Sequence, residues 1–282
     1  MSGPELWHID AFAEAPFQGN PAAVCYLDQA LPEAWMQQVA AEMNLSETAF
    51  VQRSTAADRY SLRWFTPRRE AHLCGHATLA TAHFLKETGR AATGSVVVFE
   101  TLSGELLAHL EEHATALDFP AIRSEPCTLP AEVATALGSP SAVARVTVTT
   151  GVPKYMVVLE SEVAVRRCDP DFRRLARAHG GGVIVTAASE TADYDFVSRY
   201  FAPSVGVDED PVTGSAHCAL APYWSSQLGR SELTGFQASR RGGRVRVRAR
   251  GDRVHLVGRA VTIVRGTLTS PHASAYRDGF GT

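Results

Sequence analysis

Alternating apolar and polar positions predict short strands over residues 7–12, 22–27, 60–65, 96–100, 105–110 and 116–119. A turn at 44–46 leads into another apolar stretch at 49–51, where Glu47 stands as an acid beside strand residues. Helical spacing takes over after Pro32, to about Met43, and again from Ala77 to Phe84 and Leu85, just past Gly75-His76. Further along, strands are expected at 145–150, 155–159 and 244–250, with helices at 130–137, 170–179 and 216–228. Gly180-Gly181-Gly182 falls at the end of one of these helices and is expected as its C-cap, because no Gly-Lys-Ser/Thr follows it.

The pattern is written twice. Arg63-Trp64-Phe65-Thr66-Pro67 returns as Arg199-Tyr200-Phe201-Ala202-Pro203, and Gly75-His76-Ala77 returns as Gly214-Ser215-Ala216. Gly19-Asn20-Pro21 matches Gly151-Val152-Pro153, residues 43–51 match 179–187, and Ser103-Gly104 matches Gly242-Gly243, all at offsets of 132 to 139 residues. Each match alone is an ordinary turn signal. In one order and at a nearly constant offset they indicate duplication, with a period too long for a solenoid. The expected fold is α+β: two pseudo-symmetric, β-barrel-like half-domains, each a curled sheet filled by a central helix. The expected bounds are 1–119 and 145–282, with a linker region at 120–144 and terminal strands free to cross between halves.

Composition narrows the function classes. The 282 residues are 45% hydrophobic and 20% charged, with a formal net charge of −3, so no global field favours nucleic acid or an anionic membrane. Arg244, Arg246, Arg248 and Arg250 alternate with apolar residues and form a solvated strand face rather than a nucleic-acid surface. No signal peptide and no apolar span of membrane length is visible. Five cysteines at irregular spacing, none in Cys-x-x-Cys, argue against a disulfide framework or a structural zinc, and for a reducing, cytoplasmic setting. The histidines lack His-Glu-x-x-His or similar spacing, so no metal is expected.

The candidate chemistry sits at the repeated glycine turns. Helix starts present N–H groups without intrahelical partners and a positive dipole end, a seat for a substrate carboxylate. If the two halves share a cleft, Gly75, His76 and Ala77 join Thr213, Gly214, Ser215 and Ala216 around it, with Asn20, Glu47 and Asp210 as the nearby polar groups. That set suits proton transfer at a carbon beside a carboxylate-bearing group. Structural roles stand beside each of these: Glu47 as an exposed strand cap, His76 and Ser215 as helix caps, residues 208–210 as a solvated acidic loop. Cys74 is either a thiolate activated by the helix start or an inert buried thiol. No Gly-x-Ser-x-Gly surrounds Ser215, which disfavours a serine hydrolase.

Four motifs in order resemble the phenazine-biosynthesis PhzF-like family, within the diaminopimelate epimerase-like fold. They are Asp10-Ala11-Phe12 with residues 17–24, Asn44-Leu45-Ser46-Glu47-Thr48-Ala49-Phe50, Arg63-Trp64-Phe65-Thr66-Pro67 with Gly75-His76-Ala77-Thr78, and residues 209–216. The resemblance implies two barrel-like halves with a site between them, a homodimer, and a cofactor-independent isomerase acting on a small carboxylate. It implies that Glu47 moves the proton and that His76, Asp210 and Ser215 assist. Related epimerases use one cysteine from each half; here Cys74 is present, but Asp210-Pro211-Val212 precedes Thr213-Gly214 without a thiol. An amino-acid epimerase or racemase, and a non-catalytic small-molecule or protein-binding member of the fold, are the alternatives.

Overall fold

The helix expected after Gly75 spans Gly75–Glu87, and its residues from His76 to Leu85 are buried except His83. A helix that is apolar nearly all round is one enclosed by its own domain. Its threonines stay satisfied by bonding backwards: Thr78 Oγ1 donates to the Cys74 carbonyl at 2.6 Å and Thr81 Oγ1 to the Ala77 carbonyl at 2.7 Å. The strands Glu5–Ala11, Glu47–Arg53, Gly104–Leu110 and Ala260–Thr267 pack around it. Phe84 is fully buried, with the Trp7 ring edge-on at 4.9 Å. Truncating such a ring removes its transfer energy and leaves a cavity. Phe84→Ala is therefore expected to lower stability by about 3–5 kcal/mol, read from denaturant unfolding.

The computed structural model describes residues 3–138, 142–148 and 152–269. The expected strand end at 149–150, Gly151 of the repeat, and positions 139–141 of the expected linker lie outside the described residues. The chain forms two compact units. The first comprises Met1–Phe17, Pro21–Asp118 and Gly258–Thr282; the second comprises Gln18–Asn20 and Phe119–Val257.

Strand Asn20–Leu27, which belongs to the first unit from Pro21 onward, runs parallel to Glu47–Arg53, joined by helix Glu33–Met43. Glu47–Arg53 is antiparallel to Arg59–Phe65, which is parallel to Val96–Thr101 across the central helix, and Val96–Thr101 forms a hairpin with Gly104–Leu110. The second unit repeats this order. Tyr155–Val158 is parallel to Val183–Ala188, which is antiparallel to Phe196–Ala202. Phe196–Ala202 is parallel to Glu232–Gln237 across helix Gly214–Leu228, and Glu232–Gln237 pairs in turn with Gly243–Arg250. Pro222 lies inside that helix and has no N–H to give to Cys218; the Cys218 carbonyl instead accepts from the Ile122 N–H at 2.9 Å. In Gly243–Arg250, Val245 and Val247 are fully buried while Arg246 and Arg250 face outward, the two-sided strand the alternation predicts.

Three local features differ from expectation. Residues 120–138 and 142–144, described parts of the expected linker 120–144, fold into the second unit: Ser124–Pro126 pairs with Val143–Thr147, and helix Ala131–Ala136 puts Val133 and Ala136 into a core with Val157 and Leu175. The helix at 130–137 is as expected, but the Pro-rich composition around it marks no boundary, because the short strand Ser124–Pro126 joins the second unit. The glycine triplet is not a left-handed cap, because helix Phe172–Ala178 ends at His179 in extended backbone (φ −149°). Gly182 is instead required by close approach, since a Cβ there would stand 2.0 Å from the Tyr200 hydroxyl oxygen. Helix Glu162–Arg167, capped by the Ser161 hydroxyl accepting from the Ala164 N–H, has no counterpart among the predicted elements.

Candidate active site

The first constellation is built by a strand start and a helix start. Helix Glu33–Met43 closes on Asn44 in the left-handed region (φ 50°), turning the chain so that Glu47 opens strand Glu47–Arg53 beside Ala22. Cys74, in extended backbone, caps helix Gly75–Glu87 and sends His76 into its first turn. There His76 Nε2 lies 3.2 Å from Glu47 Oε2, and Cys74 Sγ lies 3.6 Å from His76 Nδ1 and 3.9 Å from Nε2. His76 and Cys74 are buried, whereas the Glu47 side chain keeps 20% exposure, so the carboxylate is the member of the group that solvent or a ligand reaches. Burial pushes the His76 imidazole down to about 3. The ring is therefore neutral at physiological pH, and with its proton on Nε2 it donates to the Glu47 carboxylate. Gly75 and Ala77 occupy the same helix start, where N–H groups have no carbonyl within the helix to bond. The donor atoms of Glu47, Cys74 and His76 all lie within 4.8 Å of one another.

The second constellation belongs to the other unit. Thr213 caps helix Gly214–Leu228, and its hydroxyl donates to Asp210 Oδ2 at 2.5 Å. Asn20, fully buried, donates from Nδ2 to Asp210 Oδ1 at 2.8 Å and to the Val212 carbonyl at 2.9 Å. Gln237 closes the network: its Nε2 donates to the Asp210 carbonyl at 2.6 Å and its Oε1 accepts from the Thr213 N–H at 2.9 Å. Burial pushes Asp210 up to about 6, with the charge of Glu209 acting in the same sense and the hydrogen bonds from Thr213 and Asn20 opposing it. Ser215 and Ala216 follow on the helix, Ser215 half-buried at the position His76 holds in the first copy and Ala216 buried. Asn20 sits in this unit because the Arg241 guanidinium donates to the carbonyls of Gly19 and Gln18 at 2.9 and 3.0 Å.

The loop into each glycine turn is tied the same way. Arg63 grips Glu70 with two hydrogen bonds of 2.6 and 2.7 Å, and Arg199 grips Glu209 with two of 2.7 and 3.0 Å. Each guanidinium also lies over an aromatic ring two residues on, Phe65 and Phe201, at 5.1 and 4.9 Å. Lysine carries the charge but not the planar fork. Arg199→Lys is expected to lower stability by about 1–2 kcal/mol, read as a shift in the denaturation midpoint.

Of the residues singled out in the sequence, the structure brings Glu47 to His76, and Asn20 and Thr213 to Asp210. Cys74 is a member of the first group. Gln237 and the paired Arg63–Glu70 and Arg199–Glu209 forks were not anticipated. The repeated arginine at the head of each copied motif was the available signal for the forks. A single glutamine at the end of a strand carried none.

The profile of the family described as phenazine biosynthesis-like protein matches residues 9–266. An uncharacterized isomerase of Halalkalibacterium halodurans is 44% identical over 270 residues, covering 95% of this chain and 99% of that protein. A crystal structure of a PhzF-family phenazine biosynthesis protein from Enterococcus faecalis superposes with a TM-score of 0.85 at 41% identity, covering 94% of this chain and 98% of that one. A probable proline racemase from Agrobacterium radiobacter, at 11% identity and TM-score 0.63 over 94% of this chain and 92% of that one, shares the fold, which is diaminopimelate epimerase-like. The chain belongs to the phenazine biosynthesis-like family, and it is an isomerase.

Proposed function

We propose that the protein moves a proton between two carbons of a small carboxylate substrate, with Glu47 as the proton carrier and no cofactor. The observation that carries this is a partly exposed carboxylate held 3.2 Å from a buried, neutral imidazole. In its ionised form Glu47 takes the proton from carbon, and the resulting acid returns it at another carbon of the same molecule. A neutral His76 suits both halves of that cycle. It orients the carboxylate through a hydrogen bond without fixing a positive charge that would hold Glu47 ionised. The N–H groups at Gly75 and Ala77, and those of Gly214, Ser215 and Ala216, are assigned to substrate anions, and Asp210 with Asn20 and Thr213 to substrate polar groups.

The test is incubation of the protein in deuterated water with a panel of small unsaturated and hydroxy or amino acids, followed by NMR. Label at a carbon other than the one deprotonated is expected, because the partly exposed Glu47 carboxyl exchanges its proton with solvent before delivering it. Label returning only to the original stereocentre would overturn the isomerisation in favour of an epimerase or racemase. The 3.6 Å approach of Cys74 Sγ to His76 favours that second possibility, with the thiol as a carrier.

No helix among the described residues is long and apolar enough to cross a membrane. The proposed enzyme is a cytoplasmic homodimer, and light scattering after size exclusion tests the assembly.

A further inference from the structure

We propose that Glu47, Cys74 and His76 form a binding site for a zinc ion that inhibits the enzyme. The ligand atoms are one carboxylate oxygen, one thiol sulfur and one imidazole nitrogen, drawn from a strand start and a helix start that the fold fixes independently. Four-coordinate zinc with bonds of about 2.0–2.3 Å places its ligand atoms roughly 3.3–3.8 Å apart. His76 Nε2 stands 3.2 Å from Glu47 Oε2 and 3.9 Å from Cys74 Sγ, so both separations are within a few tenths of an ångström of that spacing.

The donor set selects a borderline-soft ion. A thiolate and an imidazole with a single carboxylate suit zinc, whereas calcium and magnesium want six or more oxygens. Three protein ligands leave a fourth position for water or for a substrate carboxylate. Binding breaks the Cys74 S–H bond; sulfur keeps the electron pair and donates it to the ion, and the proton leaves to solvent. The imidazole N–H moves to Nδ1, freeing the Nε2 lone pair. Entry is from the Glu47 side, the most exposed of the three ligands.

Zinc so held occupies the carboxylate oxygen that carries the proton. The inhibition therefore rests on the proposed role of Glu47, whereas the binding does not. Metal as a blocker here differs from metal as a cofactor, since the proton transfer uses the bare carboxylate.

The experiment titrates the chelator-stripped, full-length protein with cobalt(II), substrate absent, and then displaces it with zinc. One cobalt per chain is expected, with the visible bands of a four-coordinate ion and a near-ultraviolet thiolate-to-cobalt band that zinc abolishes. Cys74→Ser is expected to remove the thiolate band and weaken binding by about a hundredfold or more, beyond the roughly 10–100-fold of an outer-shell change. Cys127→Ser and Cys168→Ser, at the two half-buried thiols elsewhere, are expected to change nothing. Should Cys74→Ser not fold by circular dichroism, Glu47→Gln serves as the second variant, with binding weakened and the thiolate band retained at saturation. A thiolate band that survives Cys74→Ser, one lost in Cys127→Ser or Cys168→Ser, unweakened binding in Glu47→Gln, or no band in the native protein overturns the site. Proton exchange measured in the presence of a chelator reports on Glu47 alone, so failure of the zinc site and failure of the isomerase mechanism give different results.

Discussion

Replacing Glu47 by Gln is expected to lower turnover by about a hundredfold or more while leaving substrate affinity nearly unchanged. The amide has the shape of the carboxylate, and its oxygen still accepts from His76 Nε2, now 3.2 Å from Glu47 Oε2. What it lacks is any capacity to take a proton from carbon at neutral pH. The loss belongs to kcat, because the interaction removed is one made only as the proton moves. His76→Ala differs in kind. It frees the carboxylate to rotate and leaves a cavity under the helix start, so binding and turnover fall together. Measuring solvent-deuterium incorporation in both variants separates the two roles. Near-normal exchange in Glu47→Gln would remove Glu47 as the carrier and transfer the role to Cys74, whose sulfur lies 3.6 Å from the same imidazole.

The duplication was legible because it is carried by turns and strand edges, which local chemistry dictates. Gly75 and Gly214 open helices in corresponding places, and the parallel and antiparallel pairings recur in the same order around them. The duplication places Glu47 and His76 only in one neighbourhood, and their pairing is legible through the family resemblance. Their separation of 29 positions has no periodicity, and the strand-start and helix-start geometry that joins them is tertiary. The approach of Cys74 to Glu47 is tertiary in the same way, since spacing rules describe groups on one helix or one loop. Residues 120–144 were misjudged for another cause. Proline and small polar residues mark an end of regular structure, yet Val133, Ala136 and Leu137 are buried and form part of the second unit's core. Asp210, Thr213 and Gln237 follow the rule that a desolvated polar group finds a partner. Which partner it finds, as with Gln237 and Asp210, is decided by strands brought together late in the chain.

Asp210→Asn is expected to lower kcat/KM by about ten- to a hundredfold, and to flatten the dependence of stability on pH. Burial raises the proton affinity of this carboxyl to about 6, against the opposing hydrogen bonds it accepts from Thr213 and Asn20. A carboxyl whose folded value is raised above the unfolded one holds its proton more tightly when folded. Its contribution to stability is therefore complete below the unfolded value, near 4, and is lost as pH rises through about 6. At pH 8 the native protein carries the cost of a desolvated negative charge, close to Glu209 and to the phenol of Tyr200. Asparagine fits the same space. Its oxygen still accepts from Asn20, and its amide donates to the Thr213 hydroxyl, which can accept as readily as donate. The variant should consequently match or exceed the native stability at pH 8, and the decline between pH 4 and 6 attributable to this group should disappear from denaturant unfolding curves. The loss of activity has a separate origin: the amide cannot supply the negative charge assigned to holding and polarising the substrate. A variant as stable as the native protein and markedly less active is the outcome that assigns Asp210 to substrate; equal losses of both would assign it to the fold.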